Sequence, residues 1–333
     1  MLPKLQGKLL SIGEVLVRLS TSKNSSLESN QLNFYVGGDS LNVASNVGNW
    51  TGSSKYLTVY DFNSFFAKAI NAHLKINNVE NVSIHSEGRV GTYYTIDKTD
   101  FNNLKVFYDR KYSSYALIKD LEPKFENVLK DVAIIYVSGI TIAINDAFNA
   151  YLLKLLEQAK SKNITIVFDL NYRSKLWDSF EQFKEVAEPF VALSDVVIGW
   201  IEDTYTPVVG ELSKEYFANA VSQMIQNYPN IKVVITPFKF KKDDKAHVKG
   251  LLYKDGQFYE TDYVTYNDKY PIGSGDSFAG AFLSSLLKNL DNESIIKNAR
   301  NAYAIKNIFE GDNNNASWDE ITSVANKSSK IER

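Results

Sequence analysis

Pro271-Ile-Gly-Ser-Gly-Asp-Ser-Phe-Ala-Gly280 is the stretch on which the reading of this chain turns. Gly273 and Gly275 flank a small Ser274, so the backbone can bend sharply there and come close to a ligand. Asp276 follows at once, and residues 277–287 are a mostly apolar run of the kind that forms a buried helix. A glycine turn that opens a helix aims unpaired N–H groups and the positive end of the helix dipole at one spot. Phosphate and other anions are attracted to such a spot. A carboxylate at the same place repels phosphate, unless its work is to take a proton from an attacking hydroxyl. Anion cradle plus base is the arrangement of phosphoryl transfer to an alcohol. Taken alone, the stretch fits an ordinary helix start equally well, with Asp276 as N-cap or first-turn acid.

Upstream of it, short apolar strands alternate with helices. Strands are predicted at 132–137, 164–169, 196–199 and 232–236, and helices at 146–160, 180–190, 215–227 and 276–289. This alternation predicts an α/β fold, a doubly wound and mostly parallel sheet flanked by helices on both faces. Ligands of such sheets bind beyond the carboxyl ends of the strands, where residues 138–139, 169–173 and 199–203 fall. The first third of the chain reads differently. Residues 8–20 are strand-like but broken by Gly13-Glu14, 20–30 form a polar surface loop, and 32–36 a half-buried strand running into Gly37-Gly38. A helix is predicted over 39–50, with Val43, Val47 and Trp50 at helical spacing and Asp39 or Ser40 as N-cap. Residues 55–60 read as strand and 65–74 as helix. The aromatic, β-branched runs at 89–96 and 104–110 resemble a hairpin. These early antiparallel strands, about 14–36 and 89–110, predict a small β-sheet lid inserted discontinuously into a single 1–333 domain. Such a lid would exclude water, the competing nucleophile in phosphoryl transfer.

Composition narrows the function classes. A net charge of −2 over 333 residues, with 44% hydrophobic and 23% charged positions, is that of an ordinary globular protein and gives no electrostatic ground for nucleic acid or an anionic membrane as partner. The absence of cysteine excludes disulfides, thiolate catalysis and cysteine metal sites. His73, His85 and His247 are in no ligand-like spacing, which argues against a histidine metal centre or a histidine triad. No apolar run has bilayer-spanning length and the first residues lack a signal-peptide pattern, so the expected location is the cytoplasm.

With these pieces placed, the chain resembles the ribokinase-like sugar kinases, the phosphofructokinase-B family. Gly273-Ser-Gly-Asp-Ser-Phe278 is similar to that family's C-terminal signature, and Gly37-Gly-Asp-Ser-Leu-Asn-Val-Ala44 to its N-terminal glycine-pair signature. Within the family, Gly88-Arg-Val-Gly-Thr-Tyr-Tyr94, Val106-Phe-Tyr-Asp-Arg110 with Tyr112-Ser-Ser114, Ser138-Gly-Ile-Thr141 and Phe168-Asp-Leu-Asn-Tyr-Arg-Ser-Lys-Leu-Trp177 are similar to 2-keto-3-deoxygluconate kinases. The resemblance covers nearly the whole chain. It implies ATP-dependent phosphorylation of a primary hydroxyl of a sugar acid, 2-keto-3-deoxygluconate to its 6-phosphate, with ATP and Mg2+ as cofactors. It also implies a homo-oligomer formed through the lid.

The resemblance implies roles as well. Asp276 would be the base, and the N–H groups of Gly273, Ser274 and Gly275 the anion hole. Arg110 and Arg173 would meet the substrate carboxylate and ATP phosphate, since a guanidinium binds either with two parallel bonds. Tyr94 and Tyr108 would wall the sugar, Gly37 and Gly38 would let the backbone approach its hydroxyls beside Asn42, Asn171 would lie near the phosphates, and Asp312 would touch the sugar acid. Each has an ordinary counterpart: a surface ion pair for a loop arginine, sheet packing for a strand tyrosine, a turn for a glycine pair, and a loop anchor for Asn171 or Asp169.

The chain also departs from the family pattern. Gly199-Trp-Ile-Glu-Asp203 stands where an Asn-Glu-x-Glu stretch is usual, leaving Glu202 and Asp203 either to order a magnesium hydration shell or to act as helix-start acids. Residues 237–246 read as a long, basic, glycine-free loop in place of a glycine-containing nucleotide loop, its lysines either meeting ATP phosphates or forming a solvated charge run. Asp39-Ser-Leu41 replaces Ala-Glu-Ala before Asn42. These departures keep two alternatives open: a kinase of the same family for a neutral sugar such as fructose, tagatose or ribose, and a non-catalytic sugar-binding regulatory protein.

Overall fold

The computed structural model describes residues 2–21, 31–96, 104–122, 124–199, 214–243 and 245–324. In chain order its strands are β1 (Lys8–Ile12), β2 (Leu16–Thr21), β3 (Leu32–Gly37), β4 (Ser54–Leu57), β5 (Val59–Tyr60), β6 (Val79–Asn81), β7 (Ile84–His85), β8 (Gly91–Ile96) and β9 (Lys105–Asp109). There follow β10 (Val132–Ser138), β11 (Thr165–Asp169), β12 (Val196–Ile198), β13 (Val233–Lys242), β14 (Lys245–Lys254), β15 (Gln257–Glu260) and β16 (Val264–Tyr266). The helices are α1 (Asp39–Thr51), α2 (Ala67–Ile76), α3 (Ser114–Leu117), α4 (Phe125–Leu129), α5 (Gly139–Ile142), α6 (Asp146–Ser161), α7 (Phe180–Leu193), α8 (Lys214–Asn227), α9 (Ser274–Leu287), α10 (Asn292–Lys306) and α11 (Trp318–Ser323).

The apolar runs of β10, β11 and β12 are continuous because both faces of these strands are covered. Alternate residues serve opposite layers. Ile135, Val137, Ile166 and Phe168 pack with Phe148, Phe183, Phe190 and Phe217 of α6, α7 and α8. Their neighbours Ile134, Tyr136 and Val167 pack with Val43 and Val47 of α1, Phe278 and Phe282 of α9, and Ile295 and Ala299 of α10. Each large side chain so buried contributes on the order of 1.5–3 kcal/mol. The sheet runs β15-β14-β13-β12-β11-β10-β1-β4-β6. From β6 to β13 every pairing is parallel, and β14 and β15 close that edge in antiparallel fashion. The chain winds outward through β4 and β6 from β1, and through β11, β12 and β13 from β10. The crevice beyond β1 and β10 is therefore the switch point where such sheets bind ligands.

A second sheet, ordered β3-β2-β8-β9, stands beside that crevice. Its β2·β3 and β8·β9 pairs are antiparallel, but β2 and β8 pair parallel, correcting the expectation of a wholly antiparallel sheet. The reason is connectivity: the chain leaves β3 through α1, β4 and α2 before returning as β8. Residues 237–246 are no loop either, where they are described: they extend β13 and turn into β14. Phe238 and Phe240 face the protein while Lys239 and Lys241 are exposed, so Phe-Lys-Phe-Lys is a period-2 strand pattern whose charges conceal it. Residues 55–60 divide into β4 and β5 at Thr58, whose hydroxyl oxygen accepts the Val15 N–H at 3.1 Å. Helix α10, absent from the expectation, is capped by the Asp291 carboxylate, which accepts the Ser294 N–H. No helix of the described residues is long and apolar enough to cross a membrane.

Candidate active site

The C-terminal ends of the parallel strands, the first turns of α1 and α9, and the inner face of the second sheet enclose a cavity of about 620 Å³. Gly273 takes φ +81°, turning the chain into α9, and a Cβ there would lie 1.9 Å from the Asp312 carbonyl oxygen. The turn is therefore set by the packing behind it. Ser274 is buried and its N–H donates to Pro271 O (3.2 Å), so it does not face the cavity as the expected anion hole requires. Gly275 does face it, with nothing within 4 Å of the position of a Cβ. Gly275 and Asp276 are in the first helical turn, where N–H groups have no intrahelical acceptor.

Asp276 lines the cavity, and Asn42 of α1 donates to its Oδ2 at 2.7 Å. Burial pushes the Asp276 carboxyl up to about 8; the charges of Asp39 and Asp169 add to the rise, while the Asn42 bond and Arg173 oppose it. A carboxyl poised there can act as a base near neutral pH. Asp39, in the first turn of α1, accepts from Ser138 Oγ. Asp169, at the end of β11, accepts from Tyr136 Oη (2.8 Å) and from the Asn171 N–H (3.1 Å); burial lifts it to about 6. Asn171 itself is held at φ +34° and lines the cavity.

The two arginines part company. Arg173 is exposed at the cavity wall, and its guanidinium donates to Tyr172 O at 3.2 Å. Arg110 also touches the cavity but is only 8% exposed and is paired through Nε with Glu14 Oε2 at 2.7 Å. Glu14, from the Gly13-Glu14 break between β1 and β2, also accepts from Ser113 Oγ. The polar interruption of an apolar run was the signal for this anchor.

Further positions differ from expectation by identifiable causes. In the second sheet side chains alternate, so Tyr93, paired with Tyr108 in register, shares the cavity face with it, while Tyr94 points to the opposite face. Asp312 is 2% exposed and does not line the cavity: it pairs with Arg18 Nε at 3.0 Å and accepts from Tyr93 Oη. Gly37 also lies behind the cavity wall, where a Cβ would strike Asp312 Oδ2 at 2.3 Å, whereas Gly38 and Asn42 reach the cavity. Glu202 lies outside the described residues. Among those described, no group of three or more His, Cys, Asp or Glu side chains is placed to hold a metal ion. Lys239, from the basic run 237–246, and Thr236 of β13 line the cavity; Thr236 was not among the expected site residues.

Residues 6–237 match the model of the pfkB family carbohydrate kinases. The chain belongs to the pfkB carbohydrate kinases. Over 321 residues this carbohydrate kinase is 28% identical to the 2-dehydro-3-deoxygalactonokinase of Haloferax volcanii, covering 95% of this chain and 96% of that one. The crystal structure of a 2-dehydro-3-deoxygluconokinase from Thermotoga maritima superposes with a TM-score of 0.88 at 25% identity, covering 96% of this chain and all of that one. An uncharacterised sugar kinase of Pyrococcus horikoshii, solved in complex with ATP, shares the fold at 20% identity and a TM-score of 0.69, over 94% of this chain and 96% of that one. The mostly parallel sheet, its flanking helices and the smaller second sheet are thus the ribokinase-like architecture.

Proposed function

We propose that this kinase transfers the γ-phosphoryl group of ATP to the primary hydroxyl of a 2-keto-3-deoxy sugar acid of the gluconate or galactonate type. The observation that carries the reading is the pairing of Asp276, held by Asn42, with the open N-terminal turn of α9 in one cavity. The acceptor hydroxyl gives its proton to the Asp276 carboxylate as its oxygen bonds to phosphorus and the ADP oxygen leaves. The N–H groups at Gly275 and Asp276 take up charge on the transferred group. Arg173 supplies the two-pronged donor for a substrate carboxylate or a phosphate, and Lys239 a second cation. Glu14 sets the orientation of Arg110, which then bounds the sugar end of the cavity instead of neutralising the substrate alone.

ATP and Mg2+ suit the site in charge: the turn, Arg173 and Lys239 face a cavity where Gly275 leaves room for an anion. Mg2+ with nucleotide uses few protein carboxylates and supplies charge neutralisation on the phosphates. The names of the two keto-deoxy sugar-acid kinases above support the substrate class. A second reading, a neutral sugar, is favoured by the carboxylates of Asp39 and Asp169 at the same cavity, which suit hydroxyl donors.

We further propose that residues 1–333 act as one domain, that the second sheet closes over the cavity as a lid, and that two copies associate through its outer face. In register across that face stand Phe34, Leu19, Tyr94 and Phe107, of which Phe34 and Phe107 are more than half exposed. The composition, and the absence of a spanning helix among the described residues, are compatible with work in the cytoplasm.

The test of the catalytic assignment is Asp276→Asn. Turnover should fall by roughly 10²- to 10⁴-fold, while calorimetric binding of the sugar acid persists. Near-normal turnover would remove Asp276 from the base role.

A further inference from the structure

Lys306, in the last turn of α10, is fully buried at 0% exposure, and the chemistry above does not use it. Its ammonium donates to the main-chain carbonyls of Phe309 at 2.9 Å and Tyr270 at 3.3 Å. Those carbonyls belong to the two loops that shape the anion-binding turn. One, ending at Gly273, enters α9; the other leaves α10 and carries Asp312, whose carbonyl oxygen backs Gly273. The Lys306 side chain touches the turn directly, its Cε lying 3.3 Å from the position of a Cβ on Gly273.

Burying an ammonium is costly unless its charge is answered. Burial, with Arg18 acting the same way and Asp312 and Asp276 opposing, lowers the Lys306 pKa to about 8. The end of α10 adds the negative pole of its dipole. The other partners of this region tie it to the second sheet: Arg18 donates to Glu310 O at 2.7 Å and pairs with Asp312. Two carbonyl oxygens converging on one buried point repel each other and need a donor or a cation between them. Here the chain supplies it.

We propose that the Lys306 ammonium is an internal cation that fixes the anion-binding turn by bridging the Tyr270 and Phe309 carbonyls, filling a place a bound monovalent cation would otherwise take. Lys306 is on this view a positioning residue, and the inference rests on the phosphoryl-transfer reading of the turn.

The experiment compares wild type, Lys306→Ala and Lys306→Met in potassium, ammonium and tetramethylammonium chloride at equal ionic strength, reading both thermal midpoint and ATP-coupled turnover. Wild type should show the same midpoint and turnover in all three salts. Lys306→Ala should lose about 10- to 100-fold in kcat through displacement of the turn, with the sugar KM little changed. Potassium or ammonium should restore its kcat several-fold and raise its midpoint; tetramethylammonium, too large for the gap, should do neither. Lys306→Met, apolar and space-filling, should lose kcat without rescue. Cation-specific behaviour of wild type overturns the proposal, as does a folded Lys306→Ala with full turnover or with no cation-specific change. If Lys306→Ala does not fold, the wild-type and Lys306→Met arms decide. The thermal readout requires no sugar, so an error about the sugar does not pass for failure of this inference.

Discussion

Asp276 is given the work of a base in surroundings that oppose its charge. Burial first, then the Asp39 and Asp169 carboxylates, lift it to about 8, and the Asn42 bond and Arg173 only partly compensate. The sign of the consequence is direct. Below pH 8 the carboxyl is mostly protonated and only its shrinking ionised fraction can accept the substrate's proton; above it the base is fully present. The kcat/KM of free enzyme should therefore rise about tenfold per pH unit on the acid side and level off above about pH 8. Asp39→Asn removes one of the opposing charges while retaining an acceptor for Ser138, so it should move that rise to lower pH; a profile that stays in place would separate Asp39 from Asp276. Arg173 gives the second residue-scale prediction. Arg173→Ala should raise KM for an acidic sugar about 10- to 100-fold, the worth of a charged hydrogen-bonded contact, and barely alter KM for a neutral one. Equal effects on both sugars would mean that Arg173 serves the phosphates alone.

At the scale of elements, the proposed mechanism divides the glycines of the α9 turn into a structural member, Gly273, and a ligand-facing one, Gly275. Gly273→Ala would place a Cβ against the Asp312 carbonyl at positive φ, and should cost about 1–3 kcal/mol in denaturant unfolding from strain alone. Gly275→Ala meets nothing and should leave stability at or slightly above wild type, while raising KM for ATP by narrowing the cradle. If the two variants behaved alike, the turn would not have this division. These roles were only half legible in the sequence. Gly-Ser-Gly-Asp before an apolar run announced the turn, but which N–H groups face a ligand depends on Ser274 donating back to Pro271. Likewise the hairpin of β8 and β9 could be read from its aromatic residues, yet the choice between Tyr93 and Tyr94 is a matter of register, and one residue of slip exchanges the faces. Arg110 was legible as a charged residue at a strand end; its engagement by Glu14, 96 positions away, was not. The lysines between 237 and 246 masked a strand whose pattern Phe238 and Phe240 carried.

At the scale of the whole molecule, the strand-helix alternation from 132 onward sufficed to read the parallel sheet and the strand ends where ligands bind, because buried parallel strands must be apolar on both faces; the switch point between β1 and β10 emerges only from the strand order. Asp312 shows what such reading misses. The family resemblance suggested a ligand contact, but the fold uses it to join Arg18 and Tyr93 of the second sheet to the loop behind the Gly273 turn. The outer row of that sheet carries a prediction of assembly. Phe107→Lys should shift a dimer toward monomer in sedimentation velocity, leaving the thermal midpoint of the monomer nearly unchanged, since Phe107 is exposed; a wild-type monomer would remove the lid interface altogether. The central claim, that this carbohydrate kinase acts on a sugar acid, is tested most directly by ATP-coupled turnover over 2-keto-3-deoxygluconate, 2-keto-3-deoxygalactonate, fructose, tagatose and ribose. One or both keto-deoxy acids should give the highest kcat/KM of the panel; the highest value on a neutral sugar, or turnover on none of them, would contradict the account.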